Sequence, residues 1–122
     1  MFDHMKLYND TCLECSQLIT QRYSTSFSMG IKAFDKKYRP PIYAIYGFVR
    51  FADEIVDTFH SFDKATLLDR FRQDTYLAIE ESISLNPVLQ AFQETVHEYN
   101  IEMELIDAFL DSMEMDLHFS EY

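Results

Sequence analysis

The sequence predicts an all-α fold of about six helices, on three observations. The 122 residues include only two Gly and three Pro, which leaves little of the turn chemistry that an all-β fold needs. Hydrophobic residues make up 48% of the chain and aromatic residues 16%, so one domain of this length can bury a core. The hydrophobic pattern is helical throughout and the connections are short, which favours a helical array or bundle.

The first third of the chain contains two predicted helices. The first covers residues 3–22. Its inward-facing residues are predicted to be the aliphatic ones: Leu7, Leu18 and Ile19. The polar segment 23–28 can cap a second, short helix that continues through Gly30 to Phe34. Residues 35–39 form a charged connection.

Four longer helices follow. Pro40 and Pro41 suit the first turn of the third helix, because their missing N–H groups cost nothing there, and this helix should run to about Phe59. A fourth helix, capped by Asp63, is predicted over residues 64–85. Its core-facing residues are Leu67, Leu68, Phe71 and Leu77. A break at Asn86-Pro87 precedes the fifth helix, residues 88–99, and the sixth spans residues 102–119.

The third helix carries a concentrated polar face. At about 100° per residue, six polar or amphipathic side chains share an arc of about 100°. They are Tyr43, Tyr46, Arg50, Asp53, Glu54 and Asp57. An ordinary solvated helix face is one interpretation. Against it, three carboxylates fall within five residues with only Arg50 to offset them, and like charges four residues apart destabilise a helix.

A cation site is the second interpretation of this face. Asp53 and Asp57 lie about 6 Å apart along the helix axis, a spacing that lets both reach one cation cluster. Hard oxygen ligands suit Mg²⁺, which is often held by one or two carboxylates together with substrate phosphates. Arg50 would supply a planar fork for phosphate oxygens. The chemistry implied is transfer or ionisation at a diphosphate.

The sixth helix is predicted to present a solvated acidic face. Its members are Glu104, Asp107, Asp111 and Glu114. Asp116 differs, because the helical wheel places it on the apolar side between Leu105 and Phe109. A carboxylate there needs a partner or a functional reason, unless the helix frays near the end of the chain.

Charge and cysteine content narrow the classes of function. The formal net charge of −11 argues against nucleic acid and anionic membranes as partners. No apolar run approaches the ~20 residues of a membrane span, and no signal peptide begins the chain, so a cytoplasmic protein is expected. Cys12 and Cys15 form a lone C-x-x-C, interpreted as two small, semi-buried residues on a helix.

At this point a family resemblance emerges. The segments 23–27 (YSTSF) and 44–57 (AIYGFVRFADEIVD) resemble the N-terminal part of phytoene synthases, in the squalene and phytoene synthase family. The resemblance runs over nearly the whole chain and includes residues 112–117 (SMEMDL). It implies the N-terminal portion of an isoprenoid-synthase-type all-α domain. It also implies a Mg²⁺-dependent prenyl transferase that condenses two prenyl diphosphates through a cyclopropyl intermediate.

The resemblance also implies roles for individual residues. Asp53 and Asp57 match the Mg²⁺-binding aspartates, and Glu54 stands where many members have another Asp. Arg50 matches the arginine that contacts diphosphate, so these residues form the implied catalytic and metal set. The implied substrate-binding residues are Arg50, Ser24, Ser26, Phe27, Tyr46 and, as a further candidate, Asp116. Simple helix capping is the alternative for the two serines.

The resulting expectation is a phytoene-synthase-like enzyme of carotenoid biosynthesis acting on geranylgeranyl diphosphate. Two alternatives stand beside it: a squalene or dehydrosqualene synthase that uses farnesyl diphosphate, and a non-catalytic helical module that binds a prenyl diphosphate or a protein. Residues 1–122 are expected to form one domain that is part of a longer synthase, because the family's second aspartate-rich motif is missing. Weak peripheral membrane association and a homodimer through exposed apolar surface are the further partner expectations.

Overall fold

The computed structural model describes residues 1–119, which form six α-helices, one 3₁₀ helix and no strand. The helices are α1 (His4–Tyr23), α2 (Thr25–Ile31), α3 (Arg39–Asp57), α4 (Lys64–Glu81), α5 (Pro87–Tyr99) and α6 (Met103–Phe119), with the 3₁₀ helix at Lys36–Tyr38. The predicted all-α fold is confirmed. Within these residues, no helix has both the length and the apolar composition needed to cross a membrane.

Side-chain caps fix where the helices begin. The Asp63 carboxylate accepts the Thr66 N–H at 3.1 Å at the start of α4, and Asn86 caps α5, both as predicted. Ser24 accepts the Phe27 N–H at 3.2 Å, so α2 begins at the next residue, within the predicted capping segment; it ends at Ile31 and not at Phe34. The cap is local chemistry: a side-chain oxygen satisfies an N–H group that has no partner inside the helix.

Two helices end earlier than predicted. α3 stops at Asp57 and not at Phe59, and α4 stops at Glu81 and not at Leu85. Ser82 terminates α4 in the left-handed conformation, with φ of 58°, and Asn100 ends α5 in the same way, with φ of 51°. Glycine usually fills this position. The chain has only two Gly, so polar residues take it here.

The buried face of α1 differs from the prediction. Leu7 and Leu18 are about half exposed, at 54% and 50%, although Ile19 packs against the core as expected. The buried residues of α1 are small: Cys12, Ser16 and Thr20. Their spacing of four residues forms a stripe along one side of the helix. The aliphatic periodicity was therefore a poor guide, because α1 contacts its neighbour through small side chains.

Close contact between α1 and α3 occurs at Gly47. A Cβ atom at Gly47 would lie 2.7 Å from Ser16 Oγ and 3.0 Å from Ser16 Cβ. Further along, the Arg50 guanidinium lies over the Tyr23 ring, 4.9 Å from its centroid. From the first contact to the second, residue numbers rise along both helices, from Ser16 to Tyr23 on α1 and from Gly47 to Arg50 on α3. The two helices therefore run parallel. This register brings the end of α1 beside the polar face of α3.

An aromatic cluster joins α3 to the helices that follow it. The Phe48 ring is stacked on Phe92 with centroids 3.8 Å apart and lies 5.3 Å from Phe71. The cluster continues through aliphatic residues of α4, α5 and α6, among them Leu68, Leu89 and Leu110. Leu77, predicted to be in the core, is 49% exposed. α3 is therefore packed on several sides. Tyr43, predicted on its polar face, is also buried, whereas Ile45 is exposed.

The acidic face of α6 was predicted to be solvated, and Glu104 and Asp111 are indeed exposed, but the prediction missed its contacts with α4. The guanidinium of Arg72 on α4 donates to Asp111 at 2.8 Å and to Glu114 at 2.9 Å. The hydroxyl of Tyr76 donates to Asp107 at 2.6 Å. Arg72 is only 15% exposed, which strengthens these charge-assisted bonds. The face therefore attaches α6 to α4.

The contact at Gly47 leads to a stability prediction. Gly47→Ala should lower the free energy of unfolding by about 1–2 kcal/mol, because overpacking costs about 1–3 kcal/mol and the gain in helix propensity offsets part of it. Adding Ser16→Gly, which removes both close atoms, should restore part of the loss. Chemical denaturation of the variants measures the change.

Gly30 supplies the matched control. A Cβ atom there meets nothing within 4 Å, so Gly30→Ala should be neutral or stabilising by up to about 1 kcal/mol. Equal effects at the two glycines would show that the close contact does not limit stability.

Candidate functional site

Three carboxylates lie at the C-terminal end of α3. Asp53, Glu54 and Asp57 are in its last turns, and the last turn contains no basic residue. The partial negative charge of a helix C-terminus disfavours acidic residues, as do like charges one turn apart. α3 is unbroken from Arg39 to Asp57, so the predicted spacing is present on one helix. The sequence therefore places three acidic residues at the end of α3 where their charges are unfavourable.

Arg50 is the cation of this face. Its Nη1 lies 4.0 Å from an Asp53 oxygen and its Nη2 lies 3.4 Å from a Glu54 oxygen. Both separations exceed those of a good charge-assisted hydrogen bond. Its Nε is buried and has no hydrogen-bond partner among the described residues. Arg50 thus keeps donor capacity for a further acceptor.

Asp53 lies in an environment that disfavours its charge. Burial raises the pKa of Asp53, Arg50 acts in the opposite direction, and the charges of Asp57 and Asp116 raise it further. Asp116 on α6 must therefore lie near Asp53, although the two are 63 residues apart in sequence. An added cation near these carboxylates would relieve both the repulsion and the loss of hydration.

The position predicted for Asp116 was wrong. Asp116 is exposed, and Leu105, taken as part of its apolar surroundings, is 64% exposed. The buried face of α6 consists of Ile106, Leu110, Met113 and Leu117. The helical wheel grouped Asp116 with Leu105, which is in fact exposed. A carboxylate that borders the polar face of α3 was therefore predicted to lie in the core.

Glu54 is already engaged by its neighbours. Hydrogen bonding with Thr58 and then with Tyr23 lowers the pKa of Glu54, and Arg50 acts in the same direction. Tyr23 also carries the Arg50 guanidinium on its ring. Neither Tyr23 nor Thr58 was predicted to belong to this site, although Tyr23 begins the segment YSTSF. Tyr23 reaches it only through the packing of α1 on α3.

The aromatic residues singled out from the sequence meet in the structure. The rings of Phe27 on α2 and Tyr46 on α3 are stacked, with centroids 4.9 Å apart and planes 24° apart. Ser26 and Phe27 line a cavity of about 440 Å³ between α2 and α3. Ser24, in contrast, caps α2. The structure therefore gives Ser24 a structural task and leaves the Ser26 hydroxyl exposed.

A second cavity, which charged residues also line, lies beside Glu54, between α1, α3 and α4, with a volume of about 450 Å³. Its walls are mainly aromatic and aliphatic, from Tyr23, Phe51, Ile55, Phe59, Leu67 and Phe71. Phe51, expected on the buried side of α3, is only partly buried because it forms part of this wall. Charged and apolar surfaces thus adjoin at Glu54 and Tyr23.

The carboxylates do not form a complete metal site by themselves. In the part of the chain that the structure describes, no group of three His, Cys, Asp or Glu side chains could hold a metal ion. Asp53 and Asp57 present hard oxygen donors, and Arg50 presents a partly free guanidinium. Such a face can bind an anion and a divalent cation together. The carboxylates would bind the cation, the guanidinium would bind the anion, and the anion would supply further oxygen ligands to the cation.

Comparison with known proteins identifies one family. The family model described as squalene/phytoene synthase matches residues 20–122, which include α2 to α6 and the whole polar face of α3. No curated protein and no solved structure matches the chain.

The environment of Asp53 leads to a pH-dependent prediction. Because the folded state raises the pKa of Asp53, stability falls as pH rises through the interval between the ordinary carboxyl pKa and the raised one. Asp53→Asn should therefore raise the midpoint of thermal unfolding at pH 7, and the gain should disappear in acid, where the carboxyl is protonated in both states. Thermal unfolding from pH 3 to pH 7 checks this.

Asp69→Asn is the control for this prediction. Asp69 is exposed on α4, and its loss removes the same charge from the chain. A gain for Asp69→Asn as large as that for Asp53→Asn would assign the effect to net charge and not to the site.

Proposed function

The chain belongs to the squalene/phytoene synthase family, and we propose that the polar face of α3 binds the diphosphate of a prenyl substrate in a head-to-head condensation. The family implies prenyl diphosphate substrates. We assign geranylgeranyl diphosphate as the substrate and a phytoene-synthase-like reaction of carotenoid biosynthesis as the function. The observation that carries the proposal is the pair Asp53 and Asp57 in the last turns of the unbroken helix α3, beside an Arg50 guanidinium whose contacts with Asp53 and Glu54 are long.

We propose Mg²⁺ as the cofactor. Asp53 and Asp57 would hold it, because both offer hard oxygen donors. Burial, together with the charges of Asp57 and Asp116, raises the pKa of Asp53, so a bound cation would stabilise its charged form. Glu54 is less available, since it hydrogen-bonds to Thr58 and Tyr23. Mg²⁺ commonly keeps substrate phosphates and water among its ligands, and when bound it would neutralise the charge of the departing diphosphate.

Arg50 would bind the diphosphate directly. Its present contacts with Asp53 and Glu54 are long, at 4.0 and 3.4 Å, so a phosphate oxygen could replace them at little cost. The ring of Tyr23 beneath the guanidinium holds the plane of the fork in one orientation, which favours bidentate binding.

The stacked rings of Phe27 and Tyr46 would shield the reacting carbon from water. They lie on α2 and α3, on the side of the face where the Ser26 hydroxyl is exposed. Aromatic faces also attract positive charge, as in cation–π contacts. We propose that Ser26 donates to the diphosphate and that Ser24 acts by fixing the start of α2.

A binding experiment tests the proposal with a readout besides turnover. Titration calorimetry with a non-hydrolysable prenyl thiodiphosphate should give binding that Mg²⁺ strengthens. Asp53→Asn and Asp57→Asn should remove the Mg²⁺ dependence. Arg50→Gln should weaken binding by about 1.5–3 kcal/mol with or without the metal, since it removes a charge-assisted bond.

Asp69→Asn should leave both binding constants unchanged. Product analysis with labelled geranylgeranyl and farnesyl diphosphates then separates the phytoene-synthase-like assignment from a squalene- or dehydrosqualene-synthase activity. Mg²⁺-dependent binding without product would favour a non-catalytic module. Binding that is indifferent to Asp53, Asp57 and Arg50 would refute the proposed site.

A further inference from the structure

Positive charge is concentrated between α2 and α3. Four of the ten Lys and Arg residues lie within residues 32–39, namely Lys32, Lys36, Lys37 and Arg39, and Asp35 is the only acidic residue there. This segment carries a net charge of +3 in a chain of net charge −11, so the remainder carries −14. The segment therefore opposes the sign of the molecule, and the net charge that argued against anionic membranes does not describe this surface.

These lysines are available to a partner. Lys32, Lys36 and Lys37 are exposed, and within residues 1–119 none forms an ion pair with a carboxylate. Arg39 instead holds the segment in shape, because its Nη2 donates to the Lys32 carbonyl at 2.8 Å and its Nε donates to the Phe34 carbonyl at 3.1 Å. The charges are thus presented by an ordered connection.

Apolar side chains surround the same charges. Four large residues are exposed there: Met29 at 67%, Phe34 at 54%, Tyr38 at 47% and Phe27 at 43%. Phe27 and Phe34 line one cavity of about 440 Å³, so the exposed aromatics adjoin. We call the following set, without Phe27, the basic–aromatic surface: Met29, Lys32, Phe34, Lys36, Lys37 and Tyr38.

We infer that the basic–aromatic surface docks on an anionic lipid bilayer. Clustered lysines are attracted to anionic headgroups, while aromatic and aliphatic side chains insert at the headgroup boundary. A polynucleotide would use the lysines but would leave Met29 and Phe34 without a contact. This inference goes beyond the proposed function and does not depend on it.

The placement of charge along α3 is compatible with such docking. Arg39 begins α3, and Asp53 lies 14 residues later, which is about 21 Å at the rise of an α-helix. That distance exceeds the Debye length of about 8 Å at physiological salt. The carboxylates at the far end of α3 are therefore screened from the bilayer and do not oppose docking.

Acidic residues also lie nearer the surface and limit its affinity. Asp10, Glu94 and Glu98 line a cavity against Pro40 and Pro41. Asp10 is paired with Lys6 at 2.6 Å, and Glu94 is partly buried. We therefore expect reversible binding that weakens steeply as salt is added.

Tryptophan fluorescence tests the docked face directly, because the chain has no Trp. In the full chain, Phe34→Trp should shift to shorter emission wavelengths when phosphatidylcholine vesicles containing phosphatidylglycerol are added, and brominated acyl chains should quench it. Pure phosphatidylcholine should have little effect. Leu85→Trp, placed on the exposed α4–α5 connection, should show neither response.

Charge variants test the lysines in vesicle sedimentation. Lys36→Gln/Lys37→Gln should weaken binding roughly 25-fold, from about fivefold for each charge near the surface. Arg22→Gln/Arg70→Gln removes the same charge from exposed positions on α1 and α4 and should not weaken binding. Circular dichroism of both variants checks that each remains folded.

Several outcomes would overturn the inference. They are equal binding to neutral and anionic vesicles, an equal loss in both double variants, and no shift for Phe34→Trp at low salt. Full competition by inorganic phosphate or by polyuridylate would indicate a site for anions and not for a bilayer. A change from dimer to monomer in Lys36→Gln/Lys37→Gln without any vesicle binding would show that a second copy of the chain covers the surface.

Discussion

The close packing of α1 against α3 at Gly47 is the constraint on which the rest of the molecule depends. Ser16 and Gly47 bring the two backbones together, and the parallel register that results places Tyr23 over Arg50. Ser24 follows at once and starts α2, which carries Phe27 to Tyr46. Side chains from three helices thus reach one face because two small residues permit one contact. A larger residue at either position would displace the end of α1 from that face.

The charges at the end of α3 lower the stability of the fold, and in the function that we propose they serve to bind the ligand. Three carboxylates stand where the helix dipole disfavours them, and burial adds to the cost at Asp53. Arg50 offsets the repulsion only in part, because its contacts are long. The aromatic cluster around Phe48 anchors the opposite side of the same helix. A rigid, well-packed helix can hold such repulsive groups in place, whereas a loosely packed one would move them apart.

Local chemistry was predictable from the sequence, and contacts between helices were not. The starts of α4 and α5 were predicted from Asp63 and Asn86, because a cap involves only neighbouring residues. The polar face of α3 was predicted from its periodicity except at Tyr43, which is buried. The small buried stripe of α1 was not predicted, since it depends on a glycine 31 residues away. Asp116 was misplaced and the role of Arg72 was missed for the same reason: both depend on how α6 docks. The ligand roles of Asp53, Asp57 and Arg50 remain predictions.

The way in which α6 is attached affects the fraction of molecules in which Asp116 lies beside Asp53. α6 packs on α3 and α4, and its polar side is held largely by Arg72 and Tyr76. Elements with fewer partners open locally at a free energy below that of global unfolding. Each such opening would carry Asp116 away from Asp53 while the first five helices stay folded. The apparent affinity for a cation would then scale with the fraction of time that α6 is closed.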